Sequence, residues 1–214
     1  MRILLVSATD AEIAPFLGAL RDASPHDIEV LTTGVGMVAT AVWCARALSR
    51  THYDVALNLG VCGSFDPALT PGAVVHVVAD YMPELGAEDG EAFLTIQQLG
   101  LLGDDEFPYR GKQIVNGTPP QSSALQRLPV VTGITVNTVH GDPRSIAAVT
   151  SRFAPQVESM EGAAFMYACR VSDVPYAQVR AVSNMVERRN REAWKIGDAL
   201  RNLGAAAVEI VATL

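Results

Sequence analysis

The amino-acid sequence predicts an α/β fold: a single domain over residues 1–214 with a mainly parallel, twisted central sheet flanked by helices. Three observations carry this. Short β-rich runs alternate with helical stretches, the order that joins strands through crossover helices. The composition, 49% hydrophobic against 18% charged, is that of a compact, core-rich chain. The 214 residues also contain no internal repeat and nothing that marks a second domain.

Taken in order, RILLVSA (2–8) reads as the first strand and AEIAPFLGALR (11–21) as an amphipathic helix. IEVLTTG (28–34) is a second strand, followed by a helix over MVATAVWCARALS (37–49). DVALNLGVCG (54–63) is a third strand ending in glycines, and GAVVHVVADY (72–81) a fourth. Residues 83–127 are turn-rich and polar, the pattern of a loop at an active site or subunit contact. PVVTGITVNTV (129–139) is a long strand, after which Asp142-Pro143 supplies an N-cap and first-turn proline for a helix to about Phe153. QVESM is a short strand, EGAAFMYACRV a helix and YAQVRAVSN (176–184) the last strand, before a C-terminal helix over roughly 191–213.

The charge balance, 16 Lys+Arg against 23 Asp+Glu for a net charge of -7, lacks the basic footprint of a nucleic-acid binder. MRILLVSATDAE is apolar for only a few residues before Asp10 and Glu12, too short for a secretory or membrane-spanning segment. No membrane partner is expected, and a cytoplasmic location is. Cys44, Cys62 and Cys169 are odd in number and far apart, so they read as reduced thiols filling the core. The scattered histidines form no metal-ligand spacing, and no metal or other cofactor is expected.

Ligands in open α/β sheets gather at the carboxyl ends of strands. There this chain places Ser7 to Glu12, Gly34 to Gly36, Gly60 to Ser64, Thr138 to Gly141, Glu158 to Glu161, and Ser183-Asn184. GVGMVA (34–39), with Asp54 20 residues on, matches a dinucleotide fingerprint in spacing. It follows the second strand, however, and Asp54 opens a strand instead of closing one. The glycines are better read as easing a tight strand-to-helix turn.

SATDAE, LGVCGS, ESMEGAAF, and RAVSN leading to ERRNREAWKI together resemble the nucleoside phosphorylase and nucleosidase superfamily. Within it the futalosine hydrolase family is most similar, over nearly the whole chain. The resemblance implies a nucleoside phosphorylase-like fold and a small-molecule nucleoside substrate, futalosine. Its N-glycosidic bond would be cleaved to hypoxanthine and dehypoxanthine futalosine in menaquinone biosynthesis. It further implies a homo-oligomer, in which a neighbour's loop, here the 83–111 segment, closes the site.

The residues can be set against that chemistry. Loss of a base from ribose passes through an oxocarbenium-like centre. Glu161 suits the sugar anchor, since a carboxylate accepts from both ribose hydroxyls and offsets positive charge on the ring. By resemblance, Met160 packs on the ribose and Glu12 activates water. Glu161 alone would also suit a helix N-terminus, and Glu12 a solvated first helical turn. Asn184 stands where the adenosine-type nucleosidases carry Asp. An amide cannot act as an acid, but its NH₂ can donate to N7 or to a 6-oxo oxygen, which favours a 6-oxopurine. Gly60, Val61, Cys62 and Gly63 would line the pocket floor, with Ser183 and His140 beside the base. Arg180 is counted among the substrate-binding residues and is expected to pair with Glu161 or Glu158. Arg188, Arg189, Arg191 or Lys195 would grip the carboxylate on the 5' side of futalosine, and Trp194 would pack on its ring. Phosphate-using relatives place an arginine where this chain has Asn58-Leu59-Gly60-Val61, and another where it has Glu12. Water is therefore the expected nucleophile. The alternatives are an adenosine-type nucleosidase, a 6-oxopurine phosphorylase and a nucleoside binder without catalysis.

Overall fold

A computed structural model describes residues 1–22 and 24–214. Its strands and helices follow the expected order: β1 (Arg2–Ser7), α1 (Asp10–Asp22), β2 (Asp27–Thr32), α2 (Met37–Arg50), β3 (Val55–Ser64) and β4 (Val74–Tyr81). The polar middle segment is less irregular than its composition suggests. It folds into β5 (Gly86–Asp89), β6 (Ala92–Thr95), β7 (Tyr109–Arg110), β8 (Gln113–Val115) and the short α3 (Ser123–Gln126). There follow β9 (Val130–Thr135), α4 (Pro143–Phe153), β10 (Val157–Ser159), α5 (Gly162–Val171), β11 (Tyr176–Met185) and α6 (Ile196–Ala212). Asp142 caps α4 as expected, its side chain accepting from the Arg144 amide with Pro143 in the first turn.

Two boundaries move for local reasons. β9 ends at Thr135 instead of 139, because Glu84 takes both the backbone and side-chain N–H of Asn137 and draws the chain out of the sheet. The C-terminal helix begins at Ile196 instead of 191. Residues Arg191–Ala193 form a 3₁₀ turn, and the Lys195 amide donates to Ser183 O at 2.8 Å, holding this segment over the end of β11.

The sheet is more mixed than expected. Among the described residues five pairings of the main sheet are parallel and four antiparallel. The connection from β3 to β4 carries no helix, and a parallel return needs a crossover of about a dozen residues or more. β4 therefore runs against β3, and β11 fills the gap, parallel to β3 and antiparallel to β4. With β10 pairing β3 and β9, and β9 pairing β4, the five strands β3, β10, β9, β4 and β11 close into a ring. Cys62, Val75, Val77, Val131, Val157 and Val182, drawn from all five, pack as one apolar cluster.

Strand alternation divides the remaining core. Ile3, Leu5, Leu57, Leu59 and Val179 face α1 and α6, whereas Leu4, Val6 and Ala56 face α2 and α5. Glycine sets the spacing of the first layer, since a methyl at Gly204 of α6 would lie 2.7 Å from the Phe16 ring of α1. All three cysteines are free and buried, and burial pushes the Cys44 and Cys62 thiols up to about 12. Among the described residues no helix is long and apolar enough to cross a membrane.

Candidate active site

A cleft of about 330 Å³ opens where β1, β3 and β11 meet the residues following β10. Its walls include Glu12, Val61, Cys62, Gly63, Met160, Glu161, Ser183, Asn184 and Trp194. A smaller space of about 120 Å³ adjoins it, sharing Gly63, Val139, Glu158, Asn184 and Trp194 and adding His140, Glu187 and Arg189.

Glu12 enters from the first turn of α1. Its Oε2 accepts from the Thr9 amide at 2.9 Å and the Thr9 hydroxyl at 3.1 Å, the back-reaching half of a T-x-x-E capping box. Its Oε1 accepts from the Val61 amide at 3.3 Å, and the carboxylate is thereby turned from solvent towards β3. Glu161 occupies the N-cap of α5 but makes no capping bond. Instead its Oε1 accepts from the Gly36 amide at 3.1 Å, and its Oε2 lies 3.7 Å from Arg180 Nη1. Gly34 and Gly36 have φ of 85° and 98°, so the glycines of GVGMVA form a left-handed entry to α2 that aims this amide at Glu161.

Arg180 lies a layer below the cleft, its side chain 1% exposed. The expectation that it touches substrate is corrected here: β11 projects it inward, and it bonds to Asn58 Oδ1 and Gln178 Oε1 as well as pairing with Glu161. Gln178 continues to Asp80 Oδ2 at 3.0 Å, and Thr135 donates to Asp80 Oδ1 at 3.0 Å. Burial pushes the Asp80 carboxyl up to about 7, against the pull of these two donors and of Arg180. Gly60 is also under the floor and does not line it. A methyl there would collide with the Arg180 guanidinium and lie 3.0 Å from Glu12 Oε1, so absence of a side chain lets the cation approach both acids.

At the other end, β11 carries a bulge between Val182 and Asn184, which re-aims both polar residues at the cleft. Ser183 Oγ lies 3.1 Å from Cys62 O and 2.8 Å from Asn184 Oδ1, and Asn184 Nδ2 donates to Met185 O at 2.9 Å. Sequence reasoning offered Glu158 only Arg180, as an alternative to Glu161; the fold gives Arg180 to Glu161 and His140 to Glu158. His140 places Nδ1 2.7 Å from Glu158 Oε2 and donates its backbone N–H to Oε1 at 3.1 Å. No motif announces this pair, because the two residues stand on separate chain segments after β9 and within β10. Of the four cations considered for the 5' carboxylate, Arg189 lines the smaller space, with its guanidinium 5.4 Å from the Trp194 ring centre. Arg188, Arg191 and Lys195 line neither.

Two carboxylates held over one buried cation, beside a slot with amide and imidazole groups, define an α/β enzyme of the class that parts a nucleobase from its sugar. The chain belongs to the phosphorylase superfamily, whose family profile matches residues 26–214. It is similar to the futalosine hydrolase of Thermus thermophilus, 30% identical over 98% of this chain and 95% of that one. It is also similar to the futalosine hydrolase of Acidothermus cellulolyticus, 32% identical over 94% and 86%. In fold it resembles the S-adenosylhomocysteine nucleosidase of Streptococcus pyogenes crystallised with 5-methylthiotubericidin, with a TM-score of 0.82 at 19% identity, covering 100% of this chain and 97% of that one.

Proposed function

We propose that this protein hydrolyses the N-glycosidic bond of futalosine, releasing hypoxanthine and dehypoxanthine futalosine. The observation that carries the reading is the convergence of Glu12 and Glu161 on one cleft above Arg180. Ribose binds with its hydroxyls on Glu161 and its face on Met160. Glu12, through Oε1, takes a proton from water as the oxygen bonds to C1'. Positive charge growing on the sugar is offset by the two carboxylates. The C1'–N9 electron pair leaves with the purine, which lies against Asn184 and His140, and the Asn184 amide donates to N7 or to the 6-oxo oxygen. The opposite end, lined by Ala11, Ile196 and Leu200, is apolar and takes the aromatic body of the 5' substituent, so Arg189, at the purine end, does not grip its carboxylate.

Water is favoured over phosphate because the nearest cation is already engaged by Glu161, Asn58 and Gln178. A carboxylate at Glu12 would moreover oppose a phosphate dianion. The protein works in the cytoplasm as one domain. It acts as a homo-oligomer through the face of α2 and α5, where exposed Val38 and Val171 line an apolar groove of about 550 Å³ and Val42, one turn on from Val38, is exposed as well. Leu85 and Tyr109 of the 83–111 region line that groove and not the chain's own cleft, as a segment serving a neighbour would.

The test offers purified protein futalosine, inosine, methylthioadenosine and S-adenosylhomocysteine, each with and without phosphate, and measures free base. Phosphate-independent hypoxanthine from futalosine is expected. Phosphate-dependent release from inosine would replace the reading with a phosphorylase, and adenine release in preference to hypoxanthine with an adenosine-type nucleosidase. Binding without release would leave a nucleoside-binding protein.

A further inference from the structure

We propose that His140, held by Glu158, is the general acid that protonates the departing purine. The inference deepens the hydrolase reading and rests on it. It begins from a shortage at the base end of the cleft. Cleavage of C1'–N9 pushes an electron pair into the purine, and a proton delivered to N7 lets it leave as neutral hypoxanthine. Asn184 cannot deliver that proton, because an amide does not ionise as an acid in this range. Its Nδ2 gives one N–H to Met185 O and keeps the other for a hydrogen bond to the 6-oxo oxygen, a contact that transfers no proton.

The imidazole of His140 meets the need. Its side chain is 13% exposed, and its position is fixed twice over, by the 2.7 Å contact of Nδ1 with Glu158 and by the backbone N–H on the same carboxylate. With the Nδ1 proton committed to Glu158, the proton available for transfer is the one at Nε2 of the protonated ring. Among the described residues Nε2 has no hydrogen-bond partner, nor is it one of the buried polar atoms left unsatisfied, so it is accessible, on a residue that lines the small cleft. Glu158, 4% exposed, supplies the countercharge that a protonated imidazole needs at this depth.

His140 and Asn184 line the same small space. A methyl at Gly63 would meet Val186 Cγ2 at 2.8 Å, Asn184 Nδ2 at 3.4 Å and Glu158 Cγ at 3.5 Å, so Asn184 and Glu158 flank the same glycine. A purine in this space turns the edge that carries N7 and the 6-oxo oxygen to both residues, the oxygen to the amide and N7 to the carboxylate-backed imidazole. The other charged groups lining this space are Glu187 and Arg189. The step balances: C1'–N9 breaks with its electrons going to the purine, the Nε2 proton bonds to N7, water's oxygen bonds to C1', and Glu12 takes water's proton. Solvent then returns a proton to His140 and removes one from Glu12.

The test compares two leaving groups in phosphate-free buffer: the hypoxanthine of futalosine, which needs protonation, and the nitrophenolate of 4-nitrophenyl β-riboside, which does not. His140→Gln, His140→Ala and Glu158→Gln are measured beside wild type, with thermal melts to verify folding. For the His140 variants, kcat for hypoxanthine release is expected to fall about 10²-fold or more, while nitrophenolate release stays near wild type. Glu158→Gln, which keeps an acceptor for Nδ1 but loses the countercharge, is expected to show the same selective loss to a smaller degree. Equal losses on both leaving groups would reduce the pair to a structural contact and overturn the proposal, as would no loss on either. If wild type releases no hypoxanthine from futalosine, the hydrolase assignment itself falls, and the same variants on inosine and methylthioadenosine then decide His140. If wild type cleaves no purine nucleoside at all, both readings fall.

Discussion

Gly60, Glu12 and Asn184 each carry one decision at the site. Gly60→Ala would push a methyl into a guanidinium that cannot retreat, since Arg180 is held by Asn58, Gln178 and Glu161. Overpacking of this kind costs about 1–3 kcal/mol. The variant is expected to lower both the urea midpoint and kcat, because relief requires Arg180 to leave Glu161. Glu12→Gln keeps an acceptor for the Thr9 amide but cannot take a proton from water. Its kcat is expected to drop about 10²–10⁴-fold with little change in KM, and wild-type turnover would remove Glu12 from the water-activating role. Asn184→Asp is expected to shift preference towards 6-aminopurine nucleosides, read as the ratio of kcat/KM for methylthioadenosine to that for futalosine. Glu12 and Asn184 were legible in the sequence because each lies in a short motif at a strand end, whereas Gly60 was expected on the pocket floor and lies beneath it. That Arg180 is a buried, paired charge was legible from its place inside the last strand; that it stands beneath the cleft was not, because the two strands that flank β11 are set by pairings the local sequence does not name. The Glu158 partner was hidden for a related reason, as it depends on how the loop after β9 folds back over β10.

At the scale of elements, β4 carries two buried ionisable groups whose effects on stability oppose each other. Burial raises Asp80 from 3.8 to about 7 and lowers His76 from 6.5 to about 4. Between these values the native state holds the Asp80 proton more tightly than the unfolded chain, so its contribution is present below pH 3.8 and is lost as pH rises towards 7. For His76 the unfolded chain binds the proton more tightly. Its contribution is present above pH 6.5 and is lost as pH falls towards 4. From pH 4 to 6.5 the two slopes largely cancel. Asp80→Asn removes one of them, so its urea midpoint is expected to rise with pH across this window more steeply than that of wild type, whatever its overall offset. A variant with the wild-type slope would show that Asp80 does not titrate there. The elements themselves were read well where one residue type dictates the outcome, as at Asp142-Pro143, and less well where a distant bond ends them. β9 stops because Glu84 captures Asn137, and α6 starts late because Lys195 is tied to Ser183 O.

For the whole molecule, alternation of strands and helices was enough to find the class of fold. The ring of β3, β10, β9, β4 and β11 was not foreseeable from it, because closure depends on β11, last in sequence, sliding between β3 and β4. The proposed assembly also belongs to this scale. Val38 and Val42 stand one turn apart on α2, 76% and 60% exposed, beside Val171 of α5 at 59%. Wild type is expected to elute as an oligomer in size-exclusion chromatography with light scattering, and Val38→Arg with Val42→Arg as a monomer. A monomeric wild type at micromolar concentration would remove the assembly.

The cation beneath Gly60 bears on protein engineering. Anyone wishing to make this scaffold consume inorganic phosphate would be tempted to install a new arginine, yet a guanidinium is already stationed behind a single thickness of backbone. The obstacle is the acid on the near side. Redesign would therefore begin by deleting Glu12 and releasing Arg180 from its tethers, before any positive group is added.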